Sequence, residues 1–163
     1  MNTDVETLFQ SDHFRRVLGY FCSGVTIVTC CLDGVPAGFA CQSFFSLSLM
    51  PPLVAFAPAK SSQSYQLIRK SGAFCANILA DSQRQLSAVL GRKDPDKWRD
   101  IKWSAGKTGS PILIGALAWI DCRIEHEYEG GDHFITVGRV IDLNADDGNP
   151  LLFFKGQYGG WAP

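Results

Sequence analysis

Charge is scarce in this chain and leans to neither sign: 19% of its 163 residues are charged, 15 Lys+Arg against 16 Asp+Glu. A net charge of −1 without a run of one sign leaves no electrostatic footprint for nucleic acid or an anionic membrane. No apolar stretch approaches the roughly 18 residues that a membrane helix needs. Met1-Asn2-Thr3-Asp4-Val5-Glu6 has neither a basic n-region nor an apolar h-region, so no secretory signal is expected. Six cysteines are present, yet none form a Cys-x-x-Cys pair, and Cys30 and Cys31 are adjacent. That excludes zinc-ribbon and thioredoxin-type spacing. Most of the thiols lie in apolar runs such as Phe21-Cys22 and Phe74-Cys75, and read as small buried hydrophobes of a cytosolic protein.

Several catalytic signatures are missing as well. His13, His126 and His133 have no metal-ligand spacing, so no metal is expected. A Gly-x-Gly-x-x-Gly turn and a Gly-x-Ser-x-Gly elbow are both absent. Gly106-Lys107-Thr108 fails as a phosphate loop because Ile101 stands where its leading glycine belongs.

What remains is a 46% hydrophobic chain of a length that fits one domain, residues 1–163. Leu8 to Phe21 has helical spacing, with Ser11 or Asp12 as N-cap. Val25 to Cys31 is β-branched, and Asp33-Gly34 is a hairpin signal. Strands are expected at 53–57 and 73–79. Helices are expected at 64–69, capped by Ser61 or Ser62, and at 83–90, capped by Asp81 and stopped by Gly91. Asp94-Pro95 should open a short helical turn, and 104–110 should be a loop. From Ala116 to Tyr128 the apolar face reads Ala118, Ile120, Cys122, Ile124 and the polar face Trp119, Asp121, Arg123, Glu125, Glu127. Turn chemistry at 129–132 returns the chain along 133–143. Six or seven strands joined by tight turns predict a mainly β protein, a small closed or partly open barrel with two or three helices.

Three stretches could carry chemistry. Gly38 to Phe44 mixes small residues with Gln42, Ser43 and aromatics; it is either an ordinary strand with solvated polar residues or a seat for a flat heterocycle with polar edges. Ala57-Pro58-Ala59-Lys60-Ser61-Ser62-Gln63-Ser64 ends a strand and opens a helix. Simple N-capping explains it, and so does a phosphate held by N–H groups, hydroxyls and an ammonium. Gly130-Gly131-Asp132-His133 is a good hairpin turn, or a pocket rim where His133 meets a pyrophosphate or carboxamide. The first two are close enough in sequence for a compact fold to join a planar-ring site to a phosphate site, as a flavin nucleotide requires.

Taken in order, Phe14-Arg15-x-Val17-Leu18-Gly19, Ser23 to Thr29, Gly38 to Ser48 with Pro51-Pro52-Leu53-Val54, Phe74-Cys75-x-Asn77-x-Leu79, and Gly131-Asp132-His133-Phe134 with Gly138-Arg139-Val140 resemble the flavin reductase family of the flavin-binding split-barrel fold. The resemblance runs from about Phe14 to Tyr158. It implies an antiparallel Greek-key split β-barrel and a homodimer. The activity implied is reduction of FMN or FAD by NADH, with NADPH as the alternative donor, and release of the reduced flavin to a partner oxygenase. By this resemblance Pro36, Gly38, Ala40, Cys41, Gln42 and Ser43 line the isoalloxazine and ribityl groups. Ala57, Pro58, Ala59, Gln63 and Ser64 hold the ribityl-phosphate arm, with Lys60 and Ser61 added on charge grounds. His133 and Tyr158 meet the nicotinamide nucleotide. No side chain is assigned a catalytic role beyond positioning. Ala40-Cys41-Gln42-Ser43 replaces the Thr-Ala-Asn-Ser of many members and is similar to the reductases of steroid-ring, aromatic and nitrilotriacetate monooxygenases. A non-catalytic FMN-binding protein or redox sensor on the same fold is the alternative.

Overall fold

The computed structural model describes residues 11–161. In chain order it contains α1 (Ser11–Leu18), β1 (Ser23–Gly24), β2 (Thr26–Leu32), β3 (Val35–Cys41), β4 (Phe45–Leu49), β5 (Pro52–Phe56), α2 (Gln63–Ser71) and β6 (Ala73–Ile78). There follow a 3-10 turn (Asp81–Gln83), α3 (Arg84–Leu90), β7 (Trp103–Ala105), β8 (Pro111–Leu113), β9 (Ala118–Gly130), β10 (His133–Ala145), β11 (Leu151–Phe154) and β12 (Gln157–Gly160). Seven strands make one antiparallel sheet in the order β3-β2-β6-β9-β10-β5-β4, while β1-β11-β12 and β7-β8 form smaller sheets.

Local chemistry explains the turns. Asp33 and Gly34 both have positive φ, 52° and 80°, the conformation of a two-residue hairpin whose twist matches its strands. Ser62 caps α2 by accepting the Tyr65 N–H at 3.2 Å, and Gly72 closes it in the left-handed region with its N–H on Ile68 O. The β9–β10 ladder runs the length of both 13-residue strands with two register shifts. Gly138 sits beside the first of them, and a Cβ there would run into the Phe74 ring, so only glycine lets that ring lie against the ladder.

The two ends of the large sheet share a core. Val28 and Ala37 from β2 and β3 join Val54 and Phe56 from β5, Phe74 from β6, Phe134 from β10, and Tyr65 and Ile68 from α2. Strands so far apart in the pairing order meet only if the sheet curls, and α2 fills the curl. Each fully buried side chain here contributes about 1.5–3 kcal/mol of transfer free energy. A second core, including Ile27, Leu79, Leu90, Leu113 and Leu151, lies under α3.

The structure departs from the sequence expectations at definite places. The first helix begins at Ser11 within the described residues, and Leu8 to Gln10 lie outside them. Its apolar residues Phe14, Val17 and Leu18 are more than half exposed. Asp81 does not cap the 83–90 helix; the Gln83 side chain instead accepts the Ala80 N–H at 3.1 Å. Gly91 ends that helix with a right-handed φ of −74°. After Asp94-Pro95 the chain makes successive turns and no helix, and 104–110 belongs to the β7–β8 hairpin. Asp121, on the polar face of the alternation, is fully buried because that hairpin covers it. The Thr108 N–H and hydroxyl donate to its two carboxylate oxygens at 2.8 and 2.5 Å.

Candidate functional site

Strand β3 ends in small side chains, and the next two residues turn outward to start β4. At that turn the Ser43 hydroxyl accepts the Ala57 N–H at 2.9 Å and donates to the Ala57 carbonyl at 3.0 Å. One side chain thereby ties the end of β3 to the end of β5. Beyond Ala57 the chain is stapled to the tip of the β9–β10 hairpin. Lys60 N–H donates to Asp132 O at 3.0 Å and Phe134 N–H to Pro58 O at 2.9 Å, with Ala59 bridging His133. These links fix the mouth of a cleft of about 550 Å³. Ala40, Cys41, Gln42, Ser43, Ala57, Ala59, His133 and Tyr158, all singled out in the sequence, line it together with Phe39, Ser62, Ser87 and Val25.

A second cleft of about 500 Å³ adjoins the first, with Phe39, Ala59 and Ser62 in the walls of both. Pro36, Ser61, Gln63 and Ser64 line this one. Gly38, Pro58 and Lys60 line neither. Gly38 is packed between the Val28 carbonyl and Trp98, Pro58 is buried, and the Lys60 ammonium pairs with Glu129. Ser62 and Phe39, in the shared wall, lie within stretches the sequence marked, although no ligand contact was assigned to either; sequence reasoning missed Ser87 in the first cleft, and Arg92, Lys93, Lys97 and Trp98 in the second. The basic pair Arg92-Lys93 after a helix stop was visible in the sequence; its nearness to β3 was not.

Electrostatics separate these groups. His133 Nδ1 lies 2.7 Å from Asp132 Oδ1, and that bond holds the exposed Asp132 carboxyl below its ordinary range. With Nδ1 so engaged, Nε2 is the nitrogen offered to a ligand. Burial pushes the Cys41 thiol up, so it lines the cleft as a neutral wall and not as a nucleophile. The Lys97 ammonium donates to the carbonyls of Gly38, Leu90 and Arg92 at 2.9, 3.1 and 3.2 Å, and burial lowers its pKa. It braces the second cleft and has no donor to spare. The Tyr158 and Ser87 hydroxyls are 2.9 Å apart at the edge of the first cleft. Chemically, the first cleft pairs a wall of small apolar residues with a few polar edges, and the second adds cations beside the N-terminus of α2.

Comparison with known proteins places this arrangement. A sequence profile described as flavin reductase like domain matches residues 18–162. The chain is 54% identical to the reductase subunit HsaB of a flavin-dependent monooxygenase from Rhodococcus jostii, over 92% of this chain and 77% of that protein. The crystal structure of a nitrilotriacetate monooxygenase component B homolog from Mycobacterium thermoresistibile superposes with a TM-score of 0.91 at 50% identity, covering 93% of this chain and 87% of that one. An NADH:FAD oxidoreductase from Streptomyces globisporus, solved in complex with NAD and FAD fragments, gives a TM-score of 0.89 at 33% identity, covering 93% of each chain.

Proposed function

The chain belongs to the flavin reductase like domain family, and from that premise we propose that it is an NADH-dependent flavin reductase supplying reduced flavin to a separate monooxygenase component. One observation carries the reading: a single cleft gathers Ala40 to Ser43, Ala57 and Ala59 with His133 and Tyr158, joining the ring-type and nicotinamide-type residues in one hollow. The residues present fit a flavin. Small side chains let a tricycle approach a wall, and Gln42 supplies donors and an acceptor at its edge.

Bound flavin and NADH would supply the redox chemistry, transfer of a hydride from nicotinamide C4 to flavin N5, which needs the two rings held face to face. The protein's part is positional. Ser43 keeps the β3 and β5 ends at a fixed separation, so the wall is formed before a ligand arrives. His133, held by Asp132, presents Nε2 to the nicotinamide nucleotide at the rim. The turn from Ala59 to Ser64 leads to α2, whose first N–H groups lack intrahelical partners and suit a phosphate. No side chain need accept a proton in the hydride step.

The same reading extends to the assembly. The curled seven-stranded sheet is taken as one Greek-key split barrel and residues 1–163 as one domain. A homodimer would cover Phe14, Val17, Leu18 and Phe21 beside α1 and Phe45, Leu47, Leu49 and Met50 at the edge strand β4, all exposed here. Six free cysteines suit the reducing cytoplasm. Among the described residues no helix is long and apolar enough to cross a membrane.

The deciding experiment mixes purified protein with NADH and excess free flavin and follows nicotinamide absorbance. Many turnovers per protein molecule are expected. A single stoichiometric event would instead make the protein a flavin-binding module.

A further inference from the structure

Outside both clefts, the β9–β10 hairpin grips α2 through a connected set of side chains. Thr136 on β10 stands opposite Glu127 on β9 in the ladder, and both meet the Tyr65 hydroxyl from the first turn of α2. Tyr65 and Thr136 are fully buried, and the Glu127 side chain is 17% exposed. A carboxylate accepts and cannot donate, so the single phenolic proton goes to Glu127. The Thr136 hydroxyl, 2.5 Å away, then donates to the Tyr65 oxygen. Burial first, and then the bond to Glu127, push the Tyr65 phenol well above its ordinary range, so it keeps that proton. The other Glu127 oxygen pairs at 2.7 Å with the guanidinium of Arg69, which comes from the last turn of the same helix. Arg69 also lies 5.0 Å over the ring of Phe134, next in sequence to His133. One carboxylate thus holds both turns of α2.

The turn before the helix has its own attachment. The Pro58 carbonyl and the Lys60 N–H are bonded to the hairpin tip, and the Gln66 amide donates to Lys60 O at 3.1 Å. The turn and the first turn of α2 therefore form one piece. Held at the tip alone, that piece could pivot; Glu127 supplies a second point, and two points fix where the free N–H groups of α2 aim. Resting on the flavin reductase reading, we propose that Glu127 is a positioning residue for the flavin phosphate, holding the start of α2 in register with the hairpin that carries His133 without itself touching the ligand. A phosphate held by backbone N–H groups needs donors that converge within hydrogen-bond reach. A small tilt of α2 then weakens the hold on the phosphate and leaves the ring wall at Ala40 to Ser43 unchanged, because that wall is fixed by the Ser43–Ala57 tie.

The test compares FMN with riboflavin, which lacks the phosphate, by quenching of flavin fluorescence without NADH. The wild type should bind FMN about tenfold more tightly than riboflavin. Glu127→Ala releases both turns of α2 and should cut that ratio to about twofold, with the riboflavin dissociation constant changed less than twofold. Tyr65→Phe keeps the ring in the core and removes only the hydroxyl; it should move the ratio in the same direction by a smaller factor. Asp121→Ala, which opens the clasp under the β7–β8 hairpin, serves as the destabilised control and should keep the wild-type ratio. A ratio that survives Glu127→Ala and Tyr65→Phe, an equal loss of both flavins, or a ratio that falls as far in Asp121→Ala overturns the inference and makes the cluster scaffold alone. Equal binding of FMN and riboflavin by the wild type overturns it too, and leaves the reductase reading standing. Failure of the wild type to bind either flavin removes the underlying reading as well.

Discussion

Two regions of this protein handle polar groups in opposite ways. Under the β7–β8 hairpin, buried groups are satisfied by the protein itself. Asn77 accepts the Leu113 N–H at 2.8 Å and donates to the carbonyls of Ile27 and Pro111, each at 3.2 Å. The Thr29 hydroxyl donates to Pro111 O at 2.6 Å, and Asp121 is closed by Thr108. Around the first cleft Gln42, Ser43, Ser62, His133 and Tyr158 are exposed or half-buried, and His133 is engaged through the Asp132 side chain, while Ser43 meets only Ala57 and Cys41. The difference separates scaffold from site. Saturated networks fix a structure, while open valences at a rigid rim are what a ligand can use.

The sharpest way to break that contrast is to open the closed region. Asp121→Ala strips the Thr108 N–H of its acceptor, leaves the Thr108 hydroxyl only Ser110 to donate to, and opens a void next to Gly106, where an added Cβ would lie 2.7 Å from the carboxylate. A loss of about 2–4 kcal/mol is expected in urea unfolding, from an unsatisfied N–H donor together with a cavity. Flavin and NADH KM values in the surviving folded fraction should change less than twofold. A variant of wild-type stability would show that the clasp does not hold the hairpin down.

Ser43→Ala attacks the border between the two regions. Its hydroxyl makes two contacts to one residue at the mouth of the cleft, so stability should fall by only about 1 kcal/mol. The flavin KM should rise about tenfold as the β3 and β5 ends lose their spacing, because a wall displaced by a fraction of an ångström no longer fits a rigid ring. Equal rises in flavin and NADH KM would mean that the tie shapes the whole rim and not the flavin wall alone.

These contrasts also account for what could be read in advance. Strands β9 and β10 and the turn between them were legible because period-two alternation and Gly130-Gly131 are local signals. The burial of Asp121 lay beyond the same rule: alternation assigns faces but cannot say that a hairpin from 103–113 will cover the polar one. Residues 38–44 and 57–64 could be read as candidates since each is a short run with its own chemistry, and Pro36 through the family resemblance. Their union in adjoining clefts depends on the Ser43–Ala57 tie and the staple at Asp132, which join residues far apart in the chain. Lys60 shows the limit of reasoning by charge. Its ammonium has an ion-pair partner in Glu129, 69 residues away, and no sequence window contains both.

At the open region the expected effects are smaller and are read in substrate terms. His133→Ala should raise the NADH KM about fivefold, with less effect on the flavin KM; an unchanged NADH KM removes His133 from the site. Asp132→Asn should move the NADH KM the same way by only about twofold, because the bond to Nδ1 is kept in weaker form and Asp132 is exposed. The pH dependence has a definite sign. The Asp132 carboxyl is depressed first by its hydrogen bond to His133 and then by the imidazolium charge, so the pair is intact above the ordinary carboxylate range. It is lost only as pH falls through the lowered value. Between pH 6 and 8 Asp132 therefore stays ionised and its bond to the ring is kept. The acid loss in kcat/KM for NADH that follows protonation of Asp132 should therefore begin below the ordinary carboxylate range and be absent from Asp132→Asn, whose side chain does not titrate. An acid limb identical in the wild type and in Asp132→Asn would show that this carboxylate contributes nothing to it.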